Sequence, residues 1–66
     1  MKGYQAMAKG TFAIEKENGT QSKFIRDHVY ACVKRSNGNF VIKDLLGSAV
    51  ELEPEYALEC FWIKEN

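Results

Sequence analysis

The chain is poor in the residues that usually announce chemistry. Among its 66 residues are one His, one Pro, one Trp and two Cys, and the formal net charge is zero. Cys32 and Cys60 stand far apart, with no CxxC pair and only His28 to join them. Such a set lacks the number and spacing of metal ligands, so neither a metal nor a cofactor is expected. No apolar run approaches the ~18 residues that span a bilayer. The opening MKGYQAMAKG has no continuous hydrophobic stretch and does not read as a signal peptide. These absences predict a cytoplasmic protein without a membrane partner. A zero net charge also removes any bulk electrostatic pull toward nucleic acid.

Catalysis finds little support. His28 follows Asp27, but neighbours in a strand point to opposite faces and cannot act as a pair. His28 lies four residues from Cys32, ~13 Å along a strand, too far to activate that thiol. Glu51, Glu53, Glu55 and Glu59 read as a solubilising surface. The single glycines form no phosphate loop. The chain is therefore not expected to be an enzyme. The two cysteines read as reduced thiols, because small secreted domains usually carry more than one bridge. A single disulfide between them stays open.

What the chain does have is a folding composition. Apolar residues make up 45%, including four Phe and three Tyr, and disordered chains carry fewer aromatics. The length allows one domain, 1–66. The charge is unevenly spread. Residues 1–43 carry a balance of +5 and residues 44–66 a balance of −5. Such a dipole either joins the two halves of a sheet or steers a charged partner.

Apolar residues recur with period two rather than 3.6. Phe12 and Ile14 share one face before Asn18-Gly19, and a strand returns over Thr20–Ile25. HVYACVKRSNGNFVIKD, residues 28–44, carries a second Asn-Gly between two apolar runs. A two-residue turn at Asn37-Gly38 sets Val33 opposite Ile42. It predicts one face of Val29, Ala31, Val33, Phe40 and Ile42 as core, and a mixed face of Tyr30, Cys32, Lys34, Val41 and Lys43. Asp44 to Gly47 reads as a four-residue turn. Val50 and Leu52 point inward from the next strand. Pro54 ends that strand and opens a single helical turn, with Tyr56 or Leu58 folding back. The run FWIK closes as a last strand, with Trp62 facing out if Phe61 and Ile63 face in. The expectation is an all-β domain of about five antiparallel strands curled into a small, partly open barrel.

Residues 24–63 resemble the small SH3-like barrels of phage, prophage and other bacterial mobile-element proteins. The resemblance rests on Tyr30, Asn37-Gly38, Phe40, Ile42, Asp44, Gly47, Leu52, Tyr56 and Phe61. It implies a five-stranded SH3-like barrel with one helical or 3₁₀ turn before the last strand, and a phage-like setting. It implies no activity, because such folds serve many purposes.

Two binding functions follow. In the first, the chain is a non-enzymatic module, an accessory or inhibitor protein, that contacts another protein through Tyr30, Lys34, Lys43, Tyr56 and Trp62. Tyr4 would add aromatic area. In the second, Lys23, Arg26, Lys34, Arg35 and Lys43 form a basic face for single-stranded nucleic acid. The acidic C-terminal third counts against the second, since nucleic-acid domains are usually far more basic. A monomer or a weak homodimer fits so small a core.

Overall fold

A computed structural model describes residues 3–66; Met1 and Lys2 of the opening segment lie outside the described residues. The period-two pattern is realised as strands: β1 (Gly3–Ala8), β2 (Phe12–Glu15), β3 (Gln21–Phe24), β4 (Val29–Lys34), β5 (Phe40–Lys43), β6 (Ala49–Leu52) and β7 (Phe61–Glu65). One helix, α1 (Pro54–Cys60), precedes β7. The all-β expectation holds, but there are seven strands rather than five among the described residues. They form a five-stranded sheet in the order β6-β5-β4-β1-β7 and a separate β2-β3 ribbon. All pairings are antiparallel. The sheets do not join into a closed barrel: no ladder links the ribbon to either edge of the large sheet.

The core lies between the ribbon and the large sheet. Phe24 from the ribbon meets Tyr30 and Phe61 of the large sheet at ring-centroid distances of 4.9 and 5.1 Å. Phe12 packs on Phe61 at 5.4 Å. Beneath these rings β1 offers the fully buried Ala6 and Ala8. Small side chains there leave room for the rings, the usual large-against-small solution to a thin core. Ala is a weak strand former, so β1, the strand between β4 and β7, carries little strand signal of its own.

Three hairpin turns share one geometry. Gly19, Gly38 and Gly47 have φ of +84°, +93° and +87°. Each donates its N–H to the carbonyl three residues back, of Lys16, Arg35 and Asp44 respectively. The residues flanking each loop then pair: Lys16 with Thr20, Arg35 with Asn39 and Asp44 with Ser48. These are three-residue loops, a turn followed by a glycine in the left-handed region.

That geometry corrects the register expected at Asn37-Gly38. Cys32, not Val33, stands opposite Ile42, and Val33 stands opposite Val41. The extra loop residue shifts β4 by one position and exchanges its faces. Tyr30 and Cys32 are buried beside Phe40 and Ile42, whereas Val29, Ala31 and Val33 are exposed. Lys34 shares the face of Tyr30, but Val41 and Lys43 are on the opposite one.

The C-terminal part follows expectation more closely. Val50 and Leu52 are buried. Pro54 occupies the first turn of α1, with Glu55 beside it. The helix turns Ala57 into the core, so Tyr56 and Leu58, about 100° to either side, are half exposed rather than folded back. Phe61 is buried and Trp62 is exposed.

Candidate functional site

The register shift moves the apolar surplus of β4 to the uncovered side of the large sheet. Trp62 stands opposite Met7 across β7 and β1, and Met7 stands opposite Val29 across β1 and β4. The three side chains form one row, with exposures of 64%, 36% and 50%. On the same face Val33 lies between Gly3 and Val41, and Val41 is paired with Glu51. The ribbon and Ala57 of α1 both pack on the other side of this sheet. Single exposed apolar side chains are ordinary, but a contiguous apolar sheet face usually marks a contact surface.

Trp62 is held in place. Lys9, in the link after β1, places Nζ 4.1 Å from the indole centroid and donates to the Leu58 carbonyl at 2.7 Å. Its backbone N–H donates to the Cys60 carbonyl. A cation there both caps the C-terminal end of α1 and supports the ring from one side. α1 has no basic residue of its own in its last turn, so Lys9 supplies the missing charge from a distant part of the chain.

The face carries more positive than negative charge. Lys43 and Lys64 project from it at β5 and β7, by the alternation of their strands. Glu51 is already occupied: Arg35 Nε lies 3.6 Å from one carboxylate oxygen and Asn39 donates to the other at 2.9 Å. The Asn39 bond is the main reason why the Glu51 carboxyl titrates below its ordinary value, with Arg35 adding to it.

Of the expected protein-contact residues, Trp62 and Lys43 share this outer face, three strand spacings across and two residues along, or ~16 Å apart. Tyr30 does not join them. It is 3% exposed, and its hydroxyl accepts the Ile25 N–H at 2.7 Å. The one-residue shift of β4 turned it inward. Lys34 is at the end of the core-facing side, with Nζ 5.8 Å from the Phe40 ring. Tyr56 is half exposed on α1, and Tyr4 packs edge-on against Phe40 at 5.8 Å. Met7, Val29, Val33 and Val41 complete the outer face, and Val29 and Val33 reach it through the register of β4.

The basic residues do not form one stripe. Lys23 pairs with Ala13 on the outward side of the ribbon, while Lys43 faces outward from the large sheet. The core separates the two. Arg26 sits in the turn after β3, its N–H bonded to Thr11 Oγ1. Lys34 and Arg35 are adjacent at the end of β4, Lys34 against Phe40 and Arg35 against Glu51.

The remaining candidates are chemically quiet. Cys32 and Cys60 are unbonded thiols. Burial pushes Cys32 up to about 11, and burial also raises Cys60. Neither has the lowered pKa of a nucleophilic thiol. His28 is exposed. Its neighbour Asp27 adopts φ +67° in the turn that returns the chain from β3 to β4, and the Asp27 N–H donates to the Ala8 carbonyl. Among the described residues no helix is long and apolar enough to cross a membrane. No family model, curated protein or solved structure matches the chain.

Proposed function

We propose that this chain is a non-enzymatic protein-binding module, of SH3-like type, that engages its partner through the outer face of the five-stranded sheet. The observation that carries this reading is the row Trp62–Met7–Val29, exposed on a face that no other element of the described chain covers. A tryptophan fixed by a cation and flanked by apolar neighbours resembles the anchors that dominate protein interfaces. The basic surroundings, Lys9, Lys43 and Lys64, suit a partner with an apolar centre and an acidic rim. The SH3-like assignment is supported by the β4-β5-β6 meander, the single helical segment after it and the return of β7 beside β1. By that resemblance the setting is a phage or mobile element, with the protein acting in the cytoplasm as an accessory or inhibitor.

The nucleic-acid alternative is less well supported. A strand-binding groove needs its cations and stacking rings along one track. Here Lys23 and Lys43 face opposite ways and Tyr30 is buried.

The test uses the purified chain as bait in bacterial lysate. A single retained protein that Trp62→Ala and Met7→Lys both release, and that Lys23→Ala does not, supports the reading. Retention that survives both face variants overturns it. Oligonucleotide binding that weakens steeply with salt would favour the alternative.

A further inference from the structure

We propose that the cleft between β2 and β6 takes an extended, positively charged peptide, which adds to β6 as an extra strand. β6 is an edge strand, with β5 on one side only. Bonding alternates along an antiparallel pair. The Asp44–Ser48 bond sets the phase, so Val50 and Leu52 direct their backbone groups at β5, and Ala49 and Glu51 direct theirs away from it. The same logic applies to β2. Lys16 bonds Thr20, so the N–H and C=O of Glu15 point away from β3. Both outward-directed backbones line one cleft of about 470 Å³, together with Ile14 and Val50.

The size suits a strand. Spacings of ~4.8 Å between strands, ~10 Å between layers and ~3.3 Å along a chain give ~160 Å³ per residue. The cleft therefore holds about three residues of extended peptide. An unpaired edge of this kind is a template for β-augmentation, in which main-chain bonds supply affinity and side chains supply selectivity.

The charge of the occupant follows from the cleft wall. Glu15 and Glu17 line it, and neither carries an ion pair among the described residues. Glu51 also lines it, but is engaged by Arg35 and Asn39. Lys16 is the one cation on the wall. Two unneutralised carboxylates opposite an open edge favour Lys or Arg at the positions of the added strand that face β2. The site lies at the β6 edge, where Ala49 and Glu51 border the outer face, four strands away from Trp62 on the opposite edge strand β7, so it is separate from the Trp62–Met7–Val29 row proposed above.

The test probe is a fluorescein-labelled, end-capped hexapeptide of alternating Lys and Val. We expect saturable binding to the full chain, with slowed amide exchange at Ala49 and Glu51. N-methylation of alternate peptide bonds should abolish binding in one of the two phases. Ala49→Pro should reduce affinity at least tenfold and leave the fold intact, because that N–H bonds no neighbour in the free chain. Glu15→Lys with Glu17→Lys should do the same, and Trp62→Ala should change nothing. Equal binding of an alternating Glu/Val hexapeptide would overturn the proposal, as would unchanged exchange at Ala49 and Glu51. So would a dimeric free chain with both amides already protected, since a second copy would then fill the cleft.

Discussion

Phe24 of the ribbon meets Phe61 of β7 edge to face, with centroids 5.1 Å apart and planes at 90°. Both rings are fully buried. This contact ties the two sheets together where no backbone ladder does. Truncating a buried Phe to Ala costs about 3–5 kcal/mol, against a total of about 3–10 kcal/mol for a chain of this length. Phe24→Ala and Phe61→Ala should therefore each remove a large share of the stability, read as a much lower urea midpoint by circular dichroism. Leu at both positions should remain folded, and a double-mutant cycle with Leu should return a coupling of about 0.5–1.5 kcal/mol. A coupling near zero would show that the rings act separately.

The turn at Gly38 makes a sharper test of backbone geometry. An added Cβ there meets nothing closer than Pro54 Cγ at 3.9 Å, so only its φ of +93° resists substitution. Gly38→Ala should cost about 1–2 kcal/mol, and Gly38→Asn less, since Asn tolerates positive φ. Gly10→Ala is the control, at a position with open space and no positive φ. Urea midpoints report all three, and equal midpoints for Gly38→Ala and Gly10→Ala would contradict the turn.

Asp44 predicts how stability falls in acid. Burial alone would push its carboxyl up, but the Ser48 and Leu46 N–H groups, both bonded to Oδ1, together with nearby Lys16, hold it below the ordinary carboxylate value. A carboxyl with a depressed folded pKa stabilises fully above its unfolded value. That stability drains away as pH falls from the unfolded value through the folded one. Glu51 acts in the same direction, chiefly through Asn39. The urea midpoint should hold steady near neutrality and fall below about pH 4. Asp44→Asn should flatten part of that fall, and an unaltered acid limb would remove Asp44 from the account.

The two thiols should separate by accessibility. Cys32 is buried and pushed up to about 11 by burial, whereas Cys60 is half-buried. A thiol reagent at neutral pH should modify one cysteine per native chain, and the second only on unfolding. Cys60→Ala should abolish the fast phase, and two equal rates would place Cys32 nearer the surface.

Lys9 and Trp62 give a spectroscopic prediction. Trp62 is the only indole in the chain and is 64% exposed. Its fluorescence should be readily quenched by acrylamide in the native state and shift little on unfolding. Lys9→Ala removes the cation over the ring and should cost about 0.5–1 kcal/mol for that contact. A blue-shifted native emission would mean that the indole is buried.

One residue in one loop decides which face of β4 is covered. Asp44 to Gly47 was legible as a four-residue turn because Asp favours its start and Gly its end. Arg35 to Gly38 and Lys16 to Gly19 adopt the same turn. Asn-Gly is nevertheless also the strongest signal for a two-residue loop, and that choice exchanges the faces of β4. A two-residue loop puts Tyr30 on the mixed face and Val29 and Val33 in the core, whereas Tyr30 is buried and Val29 and Val33 are exposed. β1 is hard to read for a separate reason: its fully buried residues Ala6 and Ala8 carry almost no strand preference.

Alternation along each segment, the turn glycines and Pro54 determined by themselves that this chain is antiparallel β with one short helix, because those signals are local. Only the tertiary structure decided which face of β4 is covered, that β1 lies between β4 and β7, and that two strand edges stay open across a cleft. Each of these depends on contacts between residues distant in the chain. Phe24 against Phe61 and Lys9 against Leu58 and Trp62 are such contacts, and no local pattern encodes them.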